Sequence, residues 1–360
     1  MARRESILPE PQRFLIVKPS SLGDIVHAMP AAAALRRGFP GSRIAWLVKK
    51  EWADILTGNP DIDEIIPVDF SLGGILSVVA KLRRERFDTV IDMQGLLRSS
   101  LIALISGASR RIGFARAREG ARFWYTHRIV LPGDSTTPWR LLPVHAIDRN
   151  LALVGSLGVS MTPVSFHLPD LPGDRDKIEA MFLAQGIQKG QYLVAVAPLD
   201  RSGIRSWPLD RFLDVASQLA QDHDVRIVVV GSPDQRWMVE RFRSVVADQL
   251  VDLVGKTTLR QLGAVFRRVS VVLANDSAPM HIAGAVGTPV VALFGPTSSA
   301  RGRPYGEGHR VLVADIPCRP CGKNVCHNAK HMECLSEISS QAVLEGVRQI
   351  LYPNRQPISL

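Results

Sequence analysis

The chain lacks any apolar run approaching the roughly 18 residues that a membrane-spanning helix needs, so no transmembrane segment is expected. Its first residues, MARRESILPEPQRF, carry charge but no apolar core, and do not read as a secretory signal. The expected compartment is the cytoplasm. Aromatic residues are sparse, at 6%, and few of them interleave with the arginines. No nucleic-acid-binding motif is present, so nucleic acid is the least expected partner. Cysteine is nearly absent too. The four cysteines all fall within 318–334, and a reducing compartment disfavours disulfides.

What is present is apolar enough to fold. The 46% apolar fraction excludes global disorder, and 360 residues suffice for two domains of ordinary size. The net charge of +10 is unevenly spread: residues 1–150 hold 22 Lys and Arg against 15 Asp and Glu, and the remainder 22 against 19. The excess peaks where Arg98, Arg110, Arg111, Arg116, Arg118, Arg122 and Arg128 are opposed only by Glu119. Such a surface suits an anionic membrane or a phosphorylated substrate. A solvated positive face is the plainer alternative.

Short apolar runs alternate with helical patterns throughout. Residues 13–19, 43–50, 63–69 and 88–95 read as strands in the first half, and 24–39, 77–87, 96–107 and 145–158 as helices. The second half repeats the scheme, with strands at 192–198, 225–231, 250–255, 270–277 and 288–296 and helices at 208–221, 234–247, 258–269 and 278–287. The segment from Leu131 to Pro172 is richer in Pro, Gly and Ser and marks a boundary. The expected division is 1–175, 176–340 and a C-terminal helix and tail over 341–360. The fold class is α/β, two Rossmann-like domains facing a central cleft, with ligands beyond the carboxyl ends of parallel strands.

Four motifs can carry chemistry. In VKPSSLGDIVH (17–27) a strand ends at Lys18, and Ser20, Ser21 and Gly23 form a small-residue turn into a helix at Asp24. Small residues admit a substrate to the backbone, and helix-start N–H groups favour anions. Asp24 is either a general base or a helix cap, and His27 is either catalytic or a core histidine. In LANDSAPMHIAGAVG (273–287), Asp276, Ser277 and Ala278 end a strand and open a helix that carries His281. This is a cradle for a diphosphate, or a capping pair in a generic α/β protein. In DRSGIRSWP (200–208), Arg201, Ser202 and Arg205 sit on a Gly-containing loop suited to phosphate, or form a basic surface loop. Finally, Cys318, Cys321, Cys326 and Cys334, with His327 and His331 among them, have chemistry suited to a structural zinc. Reduced thiols packing a loop are the alternative.

Taken in this order, the segments resemble glycosyltransferase family 9, the bacterial ADP-heptose:lipopolysaccharide heptosyltransferases, across most of the chain. KPSSLGDIVHAMPA is the most specific piece. VIDMQGLLRSSLIA, RRIGF and HAIDRNLAL look like the heptosyltransferase I type, and the Cys-rich stretch like type II. The resemblance implies a GT-B fold, with the acceptor mainly on the N-terminal domain and the donor mainly on the C-terminal one. It implies that Asp24 is the general base, that Asp276, Ser277, Ala278 and His281 hold the donor sugar and diphosphate, and that Arg205 stands where the family often has a phosphate-contacting lysine. Arg201 and Ser202 join the donor set, and Asp234 is a candidate for the ribose. Lys18, Ser20, Ser21, Gly23, Gln94 and Arg98 are the acceptor candidates. The implied reaction is inverting heptose transfer from ADP-heptose to a Kdo or heptose residue of the lipopolysaccharide core, with no required metal or cofactor, peripheral to the inner membrane. A related transferase with another nucleotide sugar or acceptor, and a non-catalytic metal-binding member of the fold, are the alternatives.

Overall fold

The computed structural model describes residues 13–133, 143–200 and 203–353. The chain divides into two compact units, one of residues 1–135 and 146–167, the other of residues 136–145 and 168–360.

In the first unit, β1 (Arg13–Val17), β2 (Arg43–Lys49), β3 (Glu64–Val68), β4 (Thr89–Asp92), β5 (Arg110–Phe114) and β6 (His127–Ile129) form one parallel sheet in the order β3-β2-β1-β4-β5-β6. The connecting helices are α1 (Leu22–Gly38), α2 (Leu72–Glu85) and α3 (Leu97–Ile105), and α4 (Ala146–Gly155) packs on α1. In β1, Phe14 to Val17 (FLIV) are wholly buried because both sheet faces are covered, and only Arg13 is exposed. Leu15, Val17, Ala45, Leu47, Val90, Leu82 and Phe87 share one core under α2 and α3.

The second unit opens with α5 (Pro172–Ala184) and repeats the topology. Its strands are β7 (Tyr192–Ala197), β8 (Val225–Val229), β9 (Leu250–Asp252), β10 (Val271–Asn275), β11 (Val290–Phe294) and β12 (Arg310–Val313), ordered β12-β11-β10-β7-β8-β9. Its helices are α6 (Leu209–Leu219), α7 (Val239–Val246), α8 (Leu259–Arg268), α9 (Ala278–Ala285), the single turns α10 (Ser299–Gly302) and α11 (Glu333–Ser336), and α12 (Ser340–Leu351). The α12 helix buries Val343, Leu344, Val347 and Leu351 in the same core as Phe212, Ile227 and Leu273. Read from its first strand, each sheet has the doubly wound order 3-2-1-4-5-6. The chain therefore reverses direction across the sheet between β1 and β4, and again between β7 and β10.

Several elements differ from the sequence expectation. β5, β6 and β12 are strands that the periodicity did not reveal. β5 begins with two arginines, and β6 is a three-residue exposed edge. α5 begins at Pro172, where the Pro- and Gly-rich segment ends, and Pro172 occupies its first turn, where a missing N–H costs nothing. α2 starts at Leu72, ahead of the expected 77, since Gly73 and Gly74 are tolerated behind the Ser71 cap, whose hydroxyl accepts from the Gly74 N–H at 3.2 Å. The segment after β2 is a 3-10 helix at Lys50–Leu56. The helix expected at 234–247 is a 3-10 turn over Pro233–Met238 followed by α7.

Candidate functional site

The first candidate site lies at the carboxyl ends of β1 and β4, where Val17 pairs with Asp92 in register. Lys18 follows β1 and is buried. Its Nζ crosses to donate to the Met93 carbonyl at 3.1 Å, and its own carbonyl accepts from Trp46 Nε1 at 3.2 Å. Ser20 is half-buried in the turn, and Gly23 is buried in the first turn of α1. Ser21 caps the helix. Its N–H and hydroxyl both donate to Asp24 Oδ2, at 3.2 and 2.9 Å. Asp24 is therefore a first-turn capping partner, as one reading of the sequence held, but that is only half of its environment. Burial pushes its pKa up, and Lys18, then His27, then the Ser21 hydrogen bonds together push it down further, so the carboxyl lies well below the ordinary carboxylate range. Asp24 is thus an ionised carboxylate at a strand-to-helix turn. His27 is buried, and its carbonyl accepts from Asn150 Nδ2 at 3.1 Å.

A second layer supports this turn. Asp92 is fully buried and accepts from Tyr125 Oη (2.6 Å), Ser99 Oγ (2.7 Å) and the N–H groups of Gln94 (2.9 Å) and Gly95 (3.0 Å). Burial still outweighs these four bonds, and its pKa is raised. The Tyr125 ring reaches Asp92 by lying against Gly113, where a Cβ would stand only 2.3 Å from the ring. The turn so fixed presents Gln94, whose Oε1 is buried with no hydrogen-bond partner. An orphaned carbonyl of this kind costs about 1–3 kcal/mol until a donor reaches it. Arg98 is the second residue of α3, its guanidinium 4.6 Å from the Phe70 ring centre.

The second site lies at the carboxyl ends of β7 and β10, in the other unit. Arg205 donates through Nη2 to Asp200 Oδ1 at 2.9 Å, and its Nη1 stands 3.7 Å from Asp276 Oδ2. Asp276 Oδ1 is in turn 3.8 Å from His281 Nε2. Three of the predicted donor residues, Arg205, Asp276 and His281, thus form one cluster. Ser277 and Ala278 adjoin it, as the residue before α9 and its first residue. Arg201 and Ser202 lie outside the described residues. Asp234 is exposed in the 3-10 turn Pro233–Met238 after β8. Two residues of this site were missed from sequence. Asp200, whose side chain is 3% exposed, anchors the guanidinium. Asn275, fully buried, donates to the Pro198 carbonyl at 2.7 Å and accepts from the Trp207 N–H at 2.9 Å, fastening both ends of the Arg205 loop. Its place directly before Asp276 was the available signal.

The four cysteines behave unequally. Cys318 and Cys321 are exposed, Cys326 is half-buried and Cys334 is buried. Asn328 Nδ2 donates to Cys318 Sγ and the Met332 N–H to Cys326 Sγ, each at 3.4 Å. The Met332 and Asn328 N–H groups pull the Cys326 thiol pKa down, while burial pushes that of Cys334 up. His327 and His331 are exposed. Among the described residues, no group of three or more His, Cys, Asp or Glu side chains is placed to hold a metal ion.

Two doubly wound parallel sheets, with a carboxylate turn at the end of one and an arginine held by acids at the end of the other, have the architecture of the GT-B glycosyltransferases. The chain matches the model of glycosyltransferase family 9 (heptosyltransferase) over residues 75–332 and belongs to that family. It is 29% identical over 308 residues to the lipopolysaccharide core heptosyltransferase OpsX of Haemophilus influenzae, covering 84% of each chain. Among solved structures it is similar to the family 9 glycosyl transferase of Veillonella parvula, with a TM-score of 0.80 at 23% identity over 95% of this chain and 98% of that one. It is also similar to E. coli heptosyltransferase WaaC, solved with ADP-2-deoxy-2-fluoro heptose, with a TM-score of 0.67 at 24% identity over 95% and 100%. The family match starts beyond the Lys18–His27 turn, so the role of Asp24 rests on its surroundings and not on that match.

Proposed function

We propose that the chain transfers heptose from ADP-heptose to a Kdo or heptose residue of the lipopolysaccharide core, with inversion at the anomeric carbon, on the cytoplasmic face of the inner membrane. The observation that carries the chemistry is the ionised Asp24 in the first turn of α1, just beyond β1. Both Ser21 bonds fall on Oδ2, which leaves Oδ1 for the acceptor hydroxyl. In this reading Asp24 takes the proton as the acceptor oxygen attacks C1 of the donor heptose. The C1–O bond to the diphosphate breaks on the opposite face, and ADP leaves with the electron pair. Arg205 and the N-terminus of α9 stabilise the departing diphosphate, a charge assigned to them and not to a metal. Gln94 Oε1 accepts from an acceptor hydroxyl. The nucleotide and the acceptor are supported by OpsX, a lipopolysaccharide core heptosyltransferase, and by WaaC, solved with an ADP-heptose analogue. The test is Asp24→Asn, assayed for ADP release with ADP-heptose and a heptose-deficient core acceptor. The variant is expected to lose turnover by about 10²–10⁴-fold and to keep its thermal shift with ADP. Unchanged turnover overturns the role of Asp24, and a larger shift with UDP or GDP than with ADP overturns the donor.

A further inference from the structure

At one end of the first unit, exposed apolar side chains stand among arginines. Ile75 and Leu76 are the fourth and fifth residues of α2 and Leu97 opens α3, so all three sit near the carboxyl end of the sheet. Phe123 lies in the 3-10 turn Ala121–Trp124, and its ring is packed back towards Gly120. Leu76 is 63% and Phe123 64% exposed, so both turn most of their apolar surface to solvent. Two contacts link the segments that carry these residues, and a third sets an arginine against an exposed ring. Arg98 stacks on Phe70, just before α2; the Leu97 N–H donates to Glu119 Oε2 at 3.3 Å; and Arg122 stacks on the Phe123 ring, 4.8 Å from its centre. The charge is one-sided, since Glu119 is the only acid between Arg98 and Arg128. No helix among the described residues is long and apolar enough to cross a membrane.

We propose that this patch docks on an anionic lipid surface, with Leu76, Ile75, Leu97 and Phe123 entering the headgroup layer and Arg98 and Arg122 pairing with lipid phosphates. Exposed apolar groups flanked by arginines are the composition that binds such interfaces, through buried apolar area and electrostatic attraction together. A purely polar partner would leave Leu76 and Phe123 unused, and an uncharged apolar partner would leave the arginines unpaired. The proposal rests on the reading above, in which the acceptor is itself held in a membrane. It places the acceptor end of the first sheet, with Asp24 and Gln94, at the lipid surface.

The full chain is sedimented with vesicles of phosphatidylethanolamine and phosphatidylglycerol, and with vesicles of phosphatidylcholine alone. The wild type is expected to partition at least about tenfold more onto the anionic vesicles, less so as salt rises. Arg122→Glu is expected to lower that partition several-fold, and the pair Leu76→Ser, Phe123→Ser about tenfold. Turnover on a soluble, delipidated acceptor should be unchanged in all of these variants, which also reports that they fold. Equal partition on the two vesicle types, or variants that bind as the wild type does, overturns the proposal. So does a dimer that dissociates in the Leu76→Ser, Phe123→Ser variant while no vesicle binding is seen. The soluble assay reads the proposed transferase activity separately, so failure on vesicles with intact turnover condemns the docking surface alone.

Discussion

The two units use the same sheet order, and at the same place in it they join the two central strands by a side chain. In the first, Lys18 at the end of β1 reaches the carbonyl of Met93 after β4. In the second, Asn275 at the end of β10 reaches the carbonyl of Pro198 after β7. The staple is charged in one unit and neutral in the other, and the neighbouring chemistry follows from that. The Lys18 ammonium also holds Asp24 ionised, so the first site presents a carboxylate. The Asn275 amide leaves charge to its surroundings, and the second site presents an arginine between two carboxylates. A shared fold therefore fixes where a site forms, and the residue chosen for one staple helps decide which sign of charge it displays.

The hardest way to break this contrast is to remove the charge itself. Asp24→Asn should cost about 10²–10⁴ in turnover, and Arg205→Ala about 10²–10³. The first should leave ADP affinity intact and the second should weaken it; a reversal of that pattern would exchange the two sites' roles. Next in size is the support beneath the first site. Asp92→Ala strands the Tyr125 and Ser99 hydroxyls and the Gln94 and Gly95 N–H groups, and should lower stability by about 3 kcal/mol in denaturant titration. Asp92→Asn should cost less. A smaller effect is expected at the anchor of the second site. Asp200→Asn frees the Arg205 guanidinium and should raise the donor KM by about tenfold with kcat nearly kept; a loss confined to kcat would show that Asp200 does not position the donor.

The subtlest test is pH. The folded pKa of Asp24 is depressed, so its ionised form persists as pH falls and contributes stability above the unfolded carboxylate pKa of about 3.9. That contribution is lost only as pH drops through the lower folded value. The acid limb of turnover set by Asp24 should therefore fall below about pH 4. In Lys18→Met the largest favourable influence is gone while burial remains, so the limb should move to higher pH. A limb that stays in place would assign the depression to His27 and Ser21 alone.

Much of this contrast was legible before any coordinates. Continuous apolar runs such as RFLIV and VRIVV read as buried strands because both faces are covered, and their flanking turns named Asp24, Arg205 and Asp276. What was hidden depends on long-range bonds. Asn275 meets Trp207 and Pro198 from far along the chain, and Tyr125 meets Asp92 only because Gly113 leaves room for its ring. Local pattern carries no trace of such partners. Strands that begin with arginine or stand at an edge, such as β5 and β6, lack the apolar run that marks the others. For Asp24 the two sequence readings did not exclude each other, because the carboxylate that closes the cap is also the one that Lys18 keeps ionised.

The buried amide of Asn275 has one further consequence. Because it grips Pro198 on one side and Trp207 on the other, one neutral side chain acts as a clasp on both ends of the segment that carries Asp200 and Arg205. Opening that clasp with Asn275→Ala should loosen the arginine without altering any charged group, so its effect on donor affinity reads the placement of the charges apart from the charges themselves.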